Sequence, residues 1–288
     1  MFYEFTSRLT LNGALETLTA LRIGASKSTS PAEPDLPVVK DALGRPYIPG
    51  SSFKGVLRSH VEAMLRGLLG DDGRLVCNPT NNDEWCIVAG KDRNGKAGID
   101  SIKKDDQERN REDAEVARQV MEKSCLVCQL FGSPWLASRL QVRDLLVDGQ
   151  TWFGQFQERN GVAIDRGKEI AADGKLYDFE VVPAGARFHF AAIVENADPW
   201  QLGMLMAGLR PFTNGDVAIC GGRSRGLGLV RLDLAEKMFI DAANREALLD
   251  ALIEGSGGES VSESQIREWR EAFREKMRNM MKQEGEHA

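Results

Sequence analysis

The chain has 288 residues, of which 42% are hydrophobic and 28% are charged, and its formal net charge is −6. This size suffices for one large core or two small ones, and no apolar run reaches the roughly 18 residues that a membrane span needs. The acidic balance argues against non-specific binding of nucleic acid by the whole surface, although phosphate contacts are local. Residues 2–12 lack a basic-then-apolar leader, so we expect a cytosolic protein.

The first part of the chain predicts a strand, a long loop and an amphipathic helix. Residues 2–12 alternate polar and apolar side chains, which is typical of a strand, and the loop that follows is rich in Ser, Pro and Gly. Apolar side chains then recur at three-to-four-residue spacing as far as Leu69, and Gly70 follows in a position that commonly ends a helix. We expect this helix to begin at Ser51 or Ser52, either of which can cap it.

The rest of the chain predicts further strands and helices around a hairpin. Residues 158–175 are polar and Gly-rich, as in an extended hairpin, and Asp198–Pro199 is a favourable helix start. Periodicity predicts a charged helix at 99–123, strands at 139–147, 151–156, 176–182, 186–194 and 229–234, a helix at 236–253, and a last helix after the capping box Ser262–Gln265. The order strand, helix, strand, strand, helix, strand predicts an α+β fold with a ferredoxin-like sheet and long insertions.

The segment 35–58, DLPVVKDALGRPYIPGSSFKGVLR, carries the most information about function. Its Pro49–Gly50 pair predicts a rigid turn before the helix, whose free backbone N–H groups and dipole favour an anion. Lys54 and Arg58 lie four residues apart near that start, where cations oppose the dipole, and a bound phosphate would resolve the conflict. A capped surface helix with solvated charges explains the same pattern on physical grounds alone.

A second motif is CGGRSRGLGLV, residues 220–230. Gly221 and Gly222, with two later glycines, let the backbone approach a ligand closely, while Arg223 and Arg225 place positive charge in the loop. A tight turn between strands would explain these glycines as well.

Together the two motifs resemble those of the RAMP superfamily, in the branch that forms the repeated backbone of type III (Csm and Cmr) CRISPR complexes. Residues 35–58 resemble its first signature nearly residue for residue, residues 220–230 resemble its glycine-rich loop, and Leu130–Gly132 before Arg143–Asp144 is a third match. The resemblance covers roughly 1–234 and implies an RRM-like RAMP domain. It further implies a zinc-binding insertion at about 70–130 and a thumb hairpin at about 158–182. The tail, residues 235–288, lies outside the resemblance, and its helical patterns predict a C-terminal helical extension that packs on the domain or contacts another subunit.

The resemblance implies a subunit that binds the backbone of a guide RNA (crRNA) and cleaves complementary target RNA with Mg²⁺ or Mn²⁺. Asp35 is the implied catalytic carboxylate, and Asp41 matches a second family aspartate that caps the turn. The implied RNA-binding residues are Ser51, Ser52, Lys54, Arg58, Gly221, Gly222, Arg223 and Arg225, with Arg159, Arg166 and Lys168 on the thumb. The implied partners are crRNA, target RNA, other effector subunits and further copies of this chain, in the prokaryotic cytoplasm and without a membrane.

Two alternative functions stay open at this point. The same scaffold would bind guide RNA without cutting if Asp35 were silent. A guide-processing endoribonuclease of the same superfamily is disfavoured, because such enzymes usually pair a histidine with a tyrosine or lysine. The three histidines of this chain do not match the family's catalytic positions.

The cysteines predict a structural metal site. Clustered cysteines in a reducing cytosol more often bind metal than form disulfides. Cys125-x-x-Cys128 has the spacing of a zinc knuckle, and Cys77 and Cys86 complete a plausible Cys₄ zinc site. A Cys₃His set, in which His60 on the signature helix replaces Cys86, is the alternative.

Overall fold

The computed structural model describes residues 4–25, 34–108, 113–167, 170–254 and 258–285. These residues form a mixed α+β structure around one six-stranded sheet. Within the described ranges, no helix combines the length and the apolar character that crossing a bilayer requires.

Strands and helices are numbered in chain order. The strands are β1 (Ser7–Thr17), β2 (Tyr47–Ile48), β3 (Ile87–Val88), β4 (Ala97–Gly98), β5 (Leu140–Val142), β6 (Leu145–Leu146), β7 (Gln157–Asp165), β8 (Ile170–Val181), β9 (Arg187–Glu195), β10 (Val217–Ala218), β11 (Leu229–Asp241) and β12 (Glu259–Ser260). The helices are α1 (Gly50–Leu69), α2 (Ile99–Glu108), α3 (Asp113–Lys123), α4 (Leu126–Phe131), α5 (Pro199–Asn214), α6 (Arg245–Glu254) and α7 (Glu263–Gly285).

The main sheet has the strand order β10-β11-β1-β9-β5, and β12 also pairs with β11. Strand β1 is central and antiparallel to both neighbours, β11 and β9. In chain order β1, α1, β5, β9, α5 and β11 form two strand–helix–strand units whose outer strands lie on opposite sides. This is the ferredoxin-like arrangement, so the predicted α+β class is confirmed.

Helices α1 and α5 cover one face of this sheet through a shared aromatic cluster. Phe53 of α1 is fully buried, and its ring centroid lies 5.1 Å from that of Phe190 on β9 and 5.0 Å from that of Phe212 on α5. Burying one such side chain stabilises a fold by roughly 1.5–3 kcal/mol. The cluster therefore fixes α1, which carries the signature motif, against the sheet and α5.

The C-terminal helix α7 packs against α5 and belongs to the main core. Its predicted apolar stripe is buried at Ile266, Trp269, Phe273 and Met277. The Gln265 amide donates to Ser262 Oγ at 3.2 Å, which confirms the predicted cap. A Cβ added to Gly203 of α5 would lie 2.0 Å from the Trp269 carbonyl oxygen, so only glycine permits this close approach.

Several predicted boundaries were wrong for reasons of strand pairing. Residues 236–241 continue β11 instead of starting a helix, because they pair with the first part of β1, with Met238 opposite Thr10. Strand β1 itself begins at Ser7 instead of residue 2, and the predicted strand at 151–156 is absent from the described residues.

The predicted hairpin is confirmed and consists of β7 and β8. The two strands pair from Gln157 opposite Val181 to Asp165 opposite Ile170. At its base, Phe179 and Val181 join a small buried cluster with Ala20 and Leu227. The hairpin is thus anchored to the segment after β1 and to the end of the glycine-rich loop, whereas its identification as a thumb stays a prediction.

Candidate RNA-binding groove and metal centre

A cleft of about 550 Å³ separates the first half of α1 from the glycine-rich loop. Ser51, Ser52 and His60 line it from the helix, and Gly221 and Arg223 line it from the loop. Two motifs that lie far apart in the sequence therefore meet across one concavity. We refer to this cleft below as the groove.

The glycine-rich loop owes its shape to left-handed backbone at two glycines. Gly222 has φ 80° and Gly226 has φ 76°, and between them Arg223–Arg225 form a single 3₁₀ turn. Both arginines are exposed. Arg225 donates a hydrogen bond to the Tyr177 hydroxyl on β8, so the turn joins the groove to the hairpin.

The start of α1 is capped by Asp144, and the expectation of a serine cap was wrong. The Gly50 amide donates to Asp144 Oδ1 at 2.8 Å, whereas Pro49 at the N-cap position makes no side-chain bond. Asp144 comes from the turn between β5 and β6, which lies beside this end of the helix. A protein carboxylate therefore already occupies part of the positive helix end.

Lys54 and Arg58 are directed away from the groove. The Lys54 ammonium donates to Ser138 Oγ at 2.7 Å, and burial, with the nearby Arg58 charge, lowers the pKa of Lys54. The Arg58 guanidinium donates to Glu62 Oε1 at 2.8 Å and to Cys128 Sγ at 3.2 Å. Neither residue lines the groove, and their RNA contacts stay predictions.

Arg22, which the sequence analysis did not single out, lies beside the glycine-rich loop. The Gly221 amide donates to the Arg22 carbonyl at 3.1 Å, and the guanidinium carbon lies 5.7 Å from the Phe179 ring centroid. Its Nε is buried and has no hydrogen-bond partner among the described residues. A buried donor without an acceptor is costly, which indicates an acceptor from outside the chain. No local pattern marks Arg22, because its contacts are distant in sequence.

The predicted catalytic residue Asp35 lies against the hairpin. Its amide donates to Asp178 Oδ1 at 3.1 Å, and this hydrogen bond lowers the pKa of the Asp178 carboxyl. The Glu180 amide donates to the Leu36 carbonyl at 3.1 Å, which continues the contact along β8. Asp35 therefore has a second carboxylate as its neighbour, which the sequence analysis did not find because the contact joins distant segments.

The turn after Asp35 has the cap that was expected. Asp41 Oδ1 accepts hydrogen bonds from the amides of Leu43 and Arg45, both at 2.9 Å. The bond from the Arg45 amide is the main reason that the pKa of Asp41 lies below its ordinary value. Asp41 thus stabilises the turn locally and takes no part in the groove lining.

Two basic residues of the hairpin, Arg159 and Arg166, are exposed. Arg159 lies opposite Phe179 in the β7–β8 pair, and Arg166 follows β7 in the connecting turn. Lys168 lies outside the described residues. The RNA contacts predicted for this group stay predictions.

The four predicted cysteines converge into one buried cluster. Their sulfur atoms all lie within 4.8 Å of one another, with Cys77 Sγ 3.5 Å from Cys128 Sγ and 3.6 Å from Cys125 Sγ. Sulfurs around a tetrahedral zinc with bonds of ~2.3 Å lie about 3.8 Å apart, whereas a disulfide bond measures about 2.05 Å. The cluster could therefore bind a metal such as zinc. Cys86 completes it, and His60 lies in the groove instead.

The pair Cys125 and Cys128 is held in place at the start of α4. Cys125 caps this helix, with its sulfur accepting from the Cys128 amide at 3.5 Å. The Leu126 amide donates to the Leu75 carbonyl at 3.1 Å, which holds the segment before Cys77 alongside. Hydrogen bonds from Cys128, Cys77 and Cys86 lower the pKa of the Cys125 thiol, whereas the hydrogen bond with Cys125 raises the pKa of Cys77 and of Cys128.

The sequence of this chain is similar to known proteins over the region that holds the groove and the cysteine cluster. Residues 14–231 match the family model described as the RAMP superfamily. The chain is 25% identical over 236 residues to the CRISPR system Cms endoribonuclease Csm3 of Methanocaldococcus jannaschii, which covers 78% of this chain and 78% of that protein. The family match includes both sides of the groove and all four clustered cysteines.

Proposed function

This chain belongs to the RAMP superfamily, and we propose that it is a backbone subunit of a type III CRISPR effector complex. In this role it binds the backbone of crRNA in the groove and cleaves complementary target RNA. Its partners are the RNA strands, other effector subunits and further copies of itself, in the prokaryotic cytoplasm. The observation that carries the proposal is the groove, in which the signature helix and the glycine-rich loop face each other.

The groove suits an RNA backbone in shape and in chemistry. Serine hydroxyls at one wall and the exposed Arg223 at the other are donors for phosphate oxygens, and Gly221 leaves the backbone accessible. Arg22 adds a buried donor that lacks an acceptor within the described residues. Such contacts recognise phosphate and shape, so binding is expected to be independent of base sequence.

The carboxylates beside the hairpin suit metal-assisted cleavage. RNA is cut when its 2′-OH attacks the adjacent phosphate in line, and a carboxylate aids this by aligning the hydroxyl or by holding Mg²⁺ or Mn²⁺. Asp35 takes this role in our proposal, with Asp178 as its neighbour. The hairpin, through Arg159 and Arg166, contacts the guide–target duplex near the same place. Cys77, Cys86, Cys125 and Cys128 hold a structural zinc ion away from this chemistry.

The groove assignment is tested by binding of crRNA at several salt concentrations. Replacing Arg223, which lines the groove, and Arg22, which lies beside the glycine-rich loop, by glutamine removes two cations while keeping hydrogen-bonding capacity. Each lost phosphate contact should reduce the slope of log K against log salt by about 0.7 for single-stranded RNA, so the double variant should lose roughly 1.4. The affinity should fall by a similar factor for guides of unrelated sequence.

The matched control replaces Arg267 and Arg270 by glutamine. Both are exposed on α7, outside the groove lining, so the control removes the same charge elsewhere on the surface. Equal losses in the two double variants would mean that only net charge matters. An unchanged slope of log K against log salt in the Arg22 and Arg223 variant would mean that the groove does not bind the RNA backbone.

A further inference from the structure

One face of α1 carries a charged network towards the cysteine cluster. Arg58, Glu62 and Arg66 are spaced by four residues and therefore lie above one another on the helix. Glu62 is only 6% exposed, and both arginines point to it. Arg58 Nε lies 2.8 Å from Glu62 Oε1, and Arg66 Nη2 lies 3.8 Å from Glu62 Oε2.

Both arginines also contact cysteines of the cluster. Arg58 Nη2 donates to Cys128 Sγ at 3.2 Å, and Arg66 Nη2 donates to the Cys77 carbonyl at 3.1 Å. A second bond from Arg58 reaches the Gly132 carbonyl at 3.0 Å, just after α4. The network therefore joins α1 to two separate segments that supply the sulfur ligands.

Electrostatics explains why Arg58 stands here. Its side chain is only 17% exposed, and taking a guanidinium largely out of water is disfavoured by desolvation. Four thiolates around a divalent cation carry a net charge of about −2, which also costs free energy when buried. A guanidinium that donates to one of those sulfurs offsets both costs. Glu62 alone would balance Arg58 but would not require contact with sulfur.

We propose that Arg58 is a positioning residue of the metal centre, whose guanidinium donates to the Cys128 thiolate while Glu62 and Arg66 hold it in place. The cation in the signature motif thus serves the cysteine site instead of the RNA backbone. The inference rests on the zinc site in our proposed function. It also links metal binding to the helix that forms one wall of the groove.

Metal affinity of the purified chain tests this role. Zinc is removed by a chelator of known affinity, and the sulfur-to-metal charge-transfer band is recorded after replacement by Co²⁺. Arg58→Gln should lower zinc affinity by roughly 10- to 100-fold, the usual effect of losing an outer hydrogen bond to a metal ligand. The band should also move to longer wavelength, because a sulfur without this hydrogen bond gives up electron density more easily.

Lys54→Gln is the matched control for metal affinity. It removes one positive charge from the same helix one turn earlier, and its ammonium contacts Ser138 instead of sulfur. Its zinc affinity and charge-transfer band should stay those of the wild type. Equal weakening in both variants would overturn the specific role of Arg58 in favour of a general charge effect.

The outcomes separate the inference from the function on which it rests. A wild-type chain that takes up no zinc would show that the cysteine cluster is not a zinc site. If the wild type binds zinc and Arg58→Gln keeps both affinity and band, the positioning role is overturned while the site survives. If Arg58→Gln does not fold, Arg58→Lys replaces it in the test, because a single ammonium cannot reach Glu62 and Cys128 together. Zinc affinity and a charge-transfer band equal to those of the wild type in Arg58→Lys would overturn the proposal.

RNA binding by the zinc-saturated Arg58→Gln chain supplies a second readout. An unchanged salt dependence is expected, because the guanidinium is engaged with the cluster. If the slope of log K against log salt falls by about 0.7 while zinc affinity is unchanged, Arg58 contacts an RNA phosphate and the positioning role is overturned.

Discussion

The two sides of α1 differ in how far their polar groups are satisfied by the chain itself. On the groove side, Ser51 and Ser52 line an open cleft, and the exposed Arg223 faces them from the loop. On the cysteine side, the half-buried Arg58 donates both to the buried Glu62 and to the Cys128 sulfur of the cluster. Polar groups that are already paired stabilise the fold, whereas open groups with a nearby unpaired donor are available to a ligand. In our proposals, one sequence motif therefore serves two tasks on two different faces of one helix.

The largest expected effect concerns the cysteine side of α1. Cys128→Ser should reduce the metal-to-protein ratio from about one to near zero, because one of four ligands is lost. Structural zinc contributes on the order of 10 kcal/mol or more in small domains, so we expect a loss of more than about 4 kcal/mol in unfolding free energy. Elemental analysis and denaturant unfolding measure the two effects.

Cys220→Ser is the control for this substitution. Cys220 lines the groove, and burial raises the pKa of its thiol to about 12, so it stays protonated and is outside the cluster. Metal content should be unaffected in this variant. Metal loss in Cys220→Ser but not in Cys128→Ser would mean that a different set of sulfurs binds the ion.

The next effect concerns the proposed chemistry beside the hairpin. In the assembled complex, Asp35→Ala should reduce cleavage of a labelled complementary RNA by at least about 100-fold while guide and target binding persist, because alignment matters in the transition state. Cleavage should require Mg²⁺ or Mn²⁺ and should stop when the scissile position carries a 2′-deoxy sugar, since the nucleophile is then missing.

Asp41→Ala is the control for Asp35, because it removes a nearby carboxylate that caps a turn. It should affect stability or assembly more than the rate of cleavage by intact complexes. Full cleavage by Asp35→Ala would assign this subunit a scaffolding role. Loss confined to Asp41→Ala would mean that the other aspartate is catalytic.

The smallest expected effect concerns the cap at the start of α1. Asp144→Asn weakens the cap on Gly50 and should cost about 1 kcal/mol in unfolding free energy. If the carboxylate also repels phosphate there, the same change should strengthen crRNA binding slightly. Asp216→Asn, an exposed position outside the groove lining, is the control. Weaker RNA binding in Asp144→Asn than in the control would mean that the cap shapes the groove more than it repels RNA.

Much of the fold followed from local patterns. The apolar spacing and Gly70 predicted a helix that was observed at Gly50–Leu69, and the polar stretch predicted the hairpin. The stripe of α7 was predicted because helical periodicity is visible within one segment. The end of β11 was missed, because residues 236–241 become a strand only through their pairing with β1.

The candidate site also has features that local sequence shows and features that only tertiary contacts create. The sequence by itself determined which chemical groups are available: the signature helix, the glycine-rich loop and a CxxC pair with two further cysteines. Only the tertiary structure decided which groups come together, namely Asp144 with the Gly50 amide, the Cys128 sulfur with Arg58, and Arg22 with Gly221. It also left the Arg22 Nε without a hydrogen-bond partner in the part of the chain that the structure describes. The reason is physical, since periodicity and turn chemistry act over a few residues. Hydrogen bonds and ion pairs between distant segments form only after the chain has packed.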